Sequence, residues 1–254
     1  KLWQGQRWLL FEEINKDVRV LLQKFGPPRN TSPIYPFQHL ANDGLWEYYP
    51  TKPEHFRVGD LVKKRIAGGF PKPVFTYLKK DTVLRKQVIL ELLRSHFPTS
   101  LHEQILESIG LEIDPKTEPE EKISVFEQRV LKVYDYRCAL CGFNVKIGNF
   151  SLALEAAHIK WPRYGGRNDL TNGLAFCSVH RQLFDGGAFT FIPHNKQYVC
   201  QVSRLATGDR GLKEWLWRYH DHYLSRPNEP LATPKSEYVT WHRKEVFRGL
   251  PISF

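Results

Sequence analysis

Methionine is absent from all 254 residues, position 1 included, so the natural start is expected to lie upstream of Lys1. Long apolar runs are missing too: none approaches the roughly eighteen residues that span a bilayer, and no basic leader followed by an apolar core opens the chain. Both absences speak against a membrane partner and point to a soluble, intracellular protein of the cytoplasm. Cysteine is scarce at four residues, which suits a metal site in a reducing compartment better than a disulfide framework. Acidic side chains are outnumbered, 27 Asp and Glu against 37 Lys and Arg, for a formal net charge of +10. An excess of this sign raises local phosphate concentration and drives counterion release from a nucleic acid. It also occurs in proteins with no such partner, so the charge permits the reading without making it.

What is present concentrates between Cys138 and Phe189. Cys138 and Cys141 form a C-x2-C pair, and Cys177 with His180 a C-x2-H pair, two knuckles of the spacing that closes a tetrahedral shell around structural zinc. Cys200 is left over. Between the knuckles, His158 ends an apolar run that reads as a strand over Leu152 to Ile159, and Asn172 stands at the mouth of a helix expected from about Gly173.

Ahead of this stretch, Leu2 to Phe25 has apolar residues at helical spacing and stops at Gly26-Pro27-Pro28. Asp43-Gly44 between apolar residues predicts a hairpin, with short strands in Tyr35 to Leu40 and near Trp46. Ala67 to Pro71 reads as a loop, Leu84 to Leu93 as an amphipathic helix, and Ser100 as the cap of a helix ending at Gly110. An acidic, Pro-containing stretch then reads as a linker. The expected organisation is a first domain over 1–112, a linker over 113–122 and a second domain over 123–254. In the second, Phe126 to Tyr134 should be helical, Ala188 to Ile192 and Gln197 to Val202 a hairpin, Leu212 to Leu224 a helix, and Trp241 to Phe247 a short helix or turn.

The residues AAHI at 156–159, NGLAFC at 172–177 and HRQLFD at 180–185, inside the zinc knuckles, resemble the HNH endonucleases. That resemblance implies a ββα-metal fold with a catalytic His158 on the first strand and Asn172 in the loop before the helix. It further implies a catalytic divalent metal, Mg2+ or Mn2+, beside the structural zinc. One position departs from the pattern. Relatives commonly carry a second histidine after the zinc-ligating one, whereas here His180 is followed by Arg181, which stays protonated and cannot ligate a metal. Arg181 is therefore taken as a phosphate contact in the active site. Ala157 likewise offers no ligand, and Glu155, Asp169 and Asp185 are candidate replacements that read equally well as caps or solvated side chains.

YPFQHL, NDGLWE, AGGFP and SHFPTSLHEQIL, over roughly Phe25 to Leu111, look like the sulfur-binding domain of phosphorothioate-dependent restriction endonucleases. Carried over by motif, Arg29 is the phosphate cation, Phe70 and Pro71 the ring wall, Val74 the small apolar floor, and His96 stands where relatives use a basic or polar residue. The plainer alternatives are core packing for Phe70 and Val74, a helix start for Pro71 and a helix end for His96.

These readings combine into an α+β protein: a mainly helical N-terminal DNA-binding domain joined to a zinc-stabilised ββα-metal domain. The expected activity is modification-dependent hydrolysis of phosphorothioated double-stranded DNA, with a homodimer left open. Two alternatives stand beside it: a DNA-binding protein with a degenerate, weakly active HNH module, favoured by Arg181, and an HNH nuclease acting on unmodified DNA.

Overall fold

The computed structural model describes residues 5–29, 31–113 and 124–253. The chain forms two compact units, Lys1–Leu92 and Leu93–Phe254. The expected linker over 113–122 lies, apart from residue 113, outside the described residues.

In the first unit, β1 (Leu9–Leu10) leads directly into α1 (Phe11–Phe25), followed by α2 (Ile34–Asn42), β2 (Glu47–Tyr49), α3 (Val58–Lys63), β3 (Ala67–Gly69), α4 (Lys72–Lys80) and α5 (Thr82–His96), which runs past the division. The hairpin expected at Asp43-Gly44 is absent, and Tyr35 to Leu40 is helix instead of strand. Asp43 and Gly44 close α2: Gly44 takes φ +72°, its N–H reaches Ala41 O at 3.1 Å, and Leu45 N–H reaches Leu40 O at 3.0 Å. Those paired bonds form the glycine-terminated cap that satisfies the last carbonyls of a helix. The segment expected to be a loop, Ala67–Gly69, is instead the buried centre of a three-stranded antiparallel sheet in the order β1-β3-β2. Its glycines permit this position: a Cβ on Gly68 would lie 1.7 Å from Trp46 Nε1, and one on Gly69 2.1 Å from Arg7 O. Phe11, Phe37, Leu61 and Ile66 form the core beside the sheet, with the Phe11 and Phe37 rings 5.0 Å apart.

The second unit continues with α6 (Thr99–Ser108), α7 (Val125–Val133), a hairpin of β4 (Val145–Ile147) and β5 (Phe150–Leu152), then β6 (Leu154–His158), β7 (Gly173–Cys177) and α8 (Ser178–Asp185). It ends with the expected hairpin, β8 (Phe189–His194) and β9 (Gln197–Val202), then α9 (Arg210–Trp215) and α10 (Ser236–Glu245). Ser100 does not cap α6, which starts after Pro98 with no side-chain cap. The Leu212 to Leu224 helix stops early, at Trp215. Beyond a single 3-10 turn the chain hydrogen-bonds to β9 instead, Leu224 N–H to Tyr198 O at 2.8 Å and Cys200 N–H to His222 O at 2.9 Å. Helix α10 packs on β8 and buries His242, whose ring stacks on Phe184 at 3.7 Å and 2°.

Candidate active site and zinc site

The expected helix at Gly173 is a strand. Residues 173–177 pair antiparallel with β6, His158 opposite Gly173 and Leu154 opposite Cys177, and all five are buried. Gly173 must be glycine here, because a Cβ would sit 2.3 Å from Val130 Cγ2 where β7 packs on α7. The helix begins only at Ser178. Strand, loop, strand and helix are thus laid down in that order, with His158 at the open end of the first strand.

Cys138, Cys141, Cys177 and His180 converge, their ligand atoms all within 4.8 Å of one another. Three features fit a tetrahedral zinc. Cys141 and Cys177 Sγ lie 4.0 Å apart, close to the roughly 3.8 Å edge that Zn–S bonds of about 2.3 Å would set. His180 Nδ1 faces Cys177 Sγ at 3.2 Å and Cys138 Sγ at 3.5 Å. Its Nε2–H donates to Trp215 O at 2.8 Å, the outer bond that fixes tautomer and ring orientation in a ligating histidine. The thiols share protons: hydrogen bonding from Cys141, then Cys177, lowers the Cys138 pKa, and the hydrogen bond with Cys138, then that with Cys177, raises that of Cys141. Zinc in this site would be structural, since all four positions come from protein. Cys200 is buried away from the set as a free thiol.

His158 lines a cleft of about 270 Å3 that also takes in Glu127, Glu155, Arg163, Arg181 and His96. Its ring stacks on Phe126 of α7 at 4.1 Å and 10°, and its Nε2 is 2.8 Å from Asn168 Oδ1. Burial is the first cause that lowers the His158 pKa from its ordinary value, so the ring is neutral near pH 7.

Asn172 is fully buried and its amide is committed to the backbone of the loop. Oδ1 accepts from Lys160 N–H at 2.8 Å, and Nδ2 donates to Lys160 O and Arg167 O, each at 2.9 Å. Of the two roles open to this residue, bracing the loop or lending its oxygen to a metal, the geometry supports bracing. Arg181 is buried, donates to Ala156 O and pairs with Asp185, whose Oδ2 also accepts from Ser100 Oγ at 2.5 Å. Glu155 accepts from Ser178 Oγ at 2.8 Å, and Asp169 from Thr171 Oγ1 at 2.5 Å. The donor set for a second, catalytic cation fits poorly: among the described residues only the Cys3His group brings three or more ligands together. The His158 cleft offers one imidazole and separate carboxylates around a guanidinium.

The residues carried over for sulfur recognition fall in both units. Arg29 is exposed after α1, Phe70 and Pro71 are half-buried between β3 and α4, and Val74 is 36% exposed on the first turn of α4. Phe70 packs edge-on to Trp46 at 5.9 Å, and its carbonyl accepts from Arg7 Nε at 2.9 Å. His96 belongs to the second unit and lines the His158 cleft. Sequence reasoning missed Asn168 and Phe126 as neighbours of His158. Asn168 sits in a Gly-Gly-Arg-Asn-Asp run that reads as a turn, and Phe126 as ordinary helix core.

A strand, loop, strand and helix beside a Cys3His group, with a histidine at the strand end, is the arrangement expected of an HNH endonuclease domain, and the family model described as HNH endonuclease matches residues 138–192. The model described as ScoMcrA-like, DNA sulfur-binding domain matches residues 1–114. The chain thus carries a region similar to HNH endonuclease domains and, at its N-terminal end, a region similar to a DNA sulfur-binding domain. A solved chain titled "Modification dependent TagI restriction endonuclease" is 17% identical with a TM-score of 0.35, over 58% of this chain and 44% of that one. This chain therefore spans less than half the length of that relative. No curated protein matches it. No helix among the described residues is long and apolar enough to cross a membrane.

Proposed function

We propose that the chain is a modification-dependent restriction endonuclease, in which the N-terminal part reads phosphorothioated double-stranded DNA and the HNH part hydrolyses its phosphodiester bonds. The observation that carries the hydrolytic half is the placement of His158: neutral near pH 7, held on a strand end and facing a cleft. A base in that state takes a proton from water as the oxygen bonds to phosphorus and a bridging P–O bond breaks. Arg181 lines the same cleft as the cation for the scissile phosphate, where its buried pairing with Asp185 fixes its position but offsets part of its charge. Mg2+ and Mn2+ are the divalent ions to supply in assays.

Sulfur recognition is a desolvation contest. Sulfur is larger and less strongly hydrated than oxygen, so an apolar cup accepts it, while an ordinary phosphate oxygen loses water bonds there at about 1 to 3 kcal/mol. Phe70, Pro71 and Val74 supply apolar surface at the start of α4, with Arg29 as phosphate cation. The test is incubation of duplexes differing by one sulfur atom, with Mg2+ and with Mn2+, scored for both retention and cleavage. Equal affinity for the two duplexes would remove the sulfur reading, leaving a nuclease for ordinary DNA. Retention without cleavage would favour the second reading, a DNA-binding protein with a weakly active nuclease module. That reading is supported by Arg181, which spends its charge on Asp185 where relatives place a second histidine.

A further inference from the structure

Asn172 cannot act on the reaction directly, since it is sealed from solvent and its amide is committed to three backbone groups. Its bonds nevertheless bear on His158. The loop between β6 and β7 leaves His158 at Ile159 and Lys160, passes through Gly165 to Asp169, and returns at Asn172. Asn172 pins both of its arms, through Lys160 on one side and Arg167 on the other. Gly166 lets the arms approach: a Cβ there would lie 1.8 Å from Lys160 O and 2.9 Å from Asn172 Nδ2. The residue after Arg167 is Asn168, and its side-chain oxygen is 2.8 Å from His158 Nε2.

Building on the nuclease reading, we propose that Asn168 is the positioning residue of the catalytic base: it fixes the His158 tautomer with the proton on Nε2, leaving Nδ1 to accept the proton of water, and transmits to the ring the loop geometry that Asn172 sets. An amide oxygen is a pure acceptor, so the ring nitrogen facing it must be the donor. Phe126 stacked on the ring's face removes the freedom to tilt but offers neither nitrogen a partner. The charged groups facing the ring act at longer range. On α8, Arg181 and Asp185 work in opposite directions on its proton affinity. Glu127 on α7 and Glu155 on the same strand line the cleft, as do Arg163 and, from the end of α5, Arg94 and His96. Among the described residues, Asn168 is the side chain whose hydrogen bond to this imidazole is resolved.

The test uses the whole, zinc-loaded chain and two readouts. Nitrogen-15 NMR of the histidine rings reports which nitrogen of His158 carries the proton, with His158→Gln assigning the signal. Cleavage of the preferred duplex is followed as a function of pH for the wild type, Asn168→Ala and Asn168→Asp. The expected results are an Nε2-protonated ring in the wild type and a loss of about tenfold or more in kcat for Asn168→Ala with duplex affinity unchanged, the scale typical of removing an orienting outer partner. For Asn168→Asp the acid limb should move to higher pH, because a carboxylate stabilises the imidazolium that the amide only contacts. A ring protonated on Nδ1 in the wild type overturns the proposal, as does Asn168→Ala turning over at the wild-type rate. If the wild type fails to cut under any condition, the nuclease reading falls, and the tautomer alone decides whether Asn168 orients the ring.

Discussion

Replacing Asn172 separates bracing from chemistry. Asn172→Ala removes one acceptor and two donors, leaving Lys160 N–H, Lys160 O and Arg167 O without their partner. A buried group so orphaned costs about 1 to 3 kcal/mol. Arg167 lies at the exposed surface, where water can replace the lost bond, so its share is small. The two bonds to half-buried Lys160 then suggest a total of about 2 to 6 kcal/mol. For a unit of this size each kcal/mol moves the midpoint by about 2 to 4 °C, which gives a fall of about 4 to 24 °C in the melting of the HNH unit. Asn172→Asp sharpens the test. It keeps the size and the acceptance from Lys160 N–H, but turns the two-bond donor into a carboxylate oxygen facing two carbonyls, so it should be at least as damaging as alanine. Calorimetry of the zinc-loaded protein, with zinc content checked on each variant, is the assay. An Asp variant that melts with the wild type would refute the brace, because no arrangement of donors and acceptors would then be needed at this position.

Three further outcomes are expected. Stripping zinc with a strong chelator, or Cys138→Ser, should unfold the HNH unit, read by loss of dispersed NMR signals alongside elemental analysis; folded protein containing no zinc would contradict the site. His158→Ala should reduce cleavage by about 10²- to 10⁴-fold and leave duplex affinity unchanged, since a general base acts in the transition state; wild-type cutting by this variant would end the nuclease assignment. His242 links stability to pH. Burial pushes its pKa down to about 3, while Thr190 Oγ1 at 3.0 Å from Nδ1 and Phe184 O at 3.1 Å from Nε2 satisfy the neutral ring. Its folded pKa is depressed, so its contribution is fully present above about pH 6.5 and is lost as pH falls from there towards 3, a change of several kcal/mol. His242→Gln should flatten that part of the stability profile relative to the wild type, and parallel profiles would show that another group is responsible.

How much of this was legible in the chain follows from how local each signal is. Two x2 spacings bring the Cys3His group together almost alone, because a knuckle is a few residues of backbone turned back on itself, and Gly142 at φ +74° completes the first turn. The periodic part of the first helix, α1, and the β8–β9 hairpin were likewise written locally, whereas Leu9 and Leu10, expected in that helix, are strand, and α5 forms over the expected segment without a clean apolar face. The strand character of Ala67–Gly69 and Gly173–Cys177 was not written locally. Gly68 and Gly69, which read as loop, and Gly173, which reads as the start of a helix, are strand residues where Trp46, Arg7 and Val130 approach too closely for any Cβ, and those neighbours are distant in the chain. The same holds at the site. His158 and Asn172 could be picked from short motifs, but what each does depends on partners brought in by the fold: Phe126 across the ring, Asn168 at its nitrogen, and Asp185 drawing Arg181 into a buried pair. Residue type and spacing set which chemistry is available, and only tertiary contact decides which hydrogen bonds are already taken, hence which atoms are left to act.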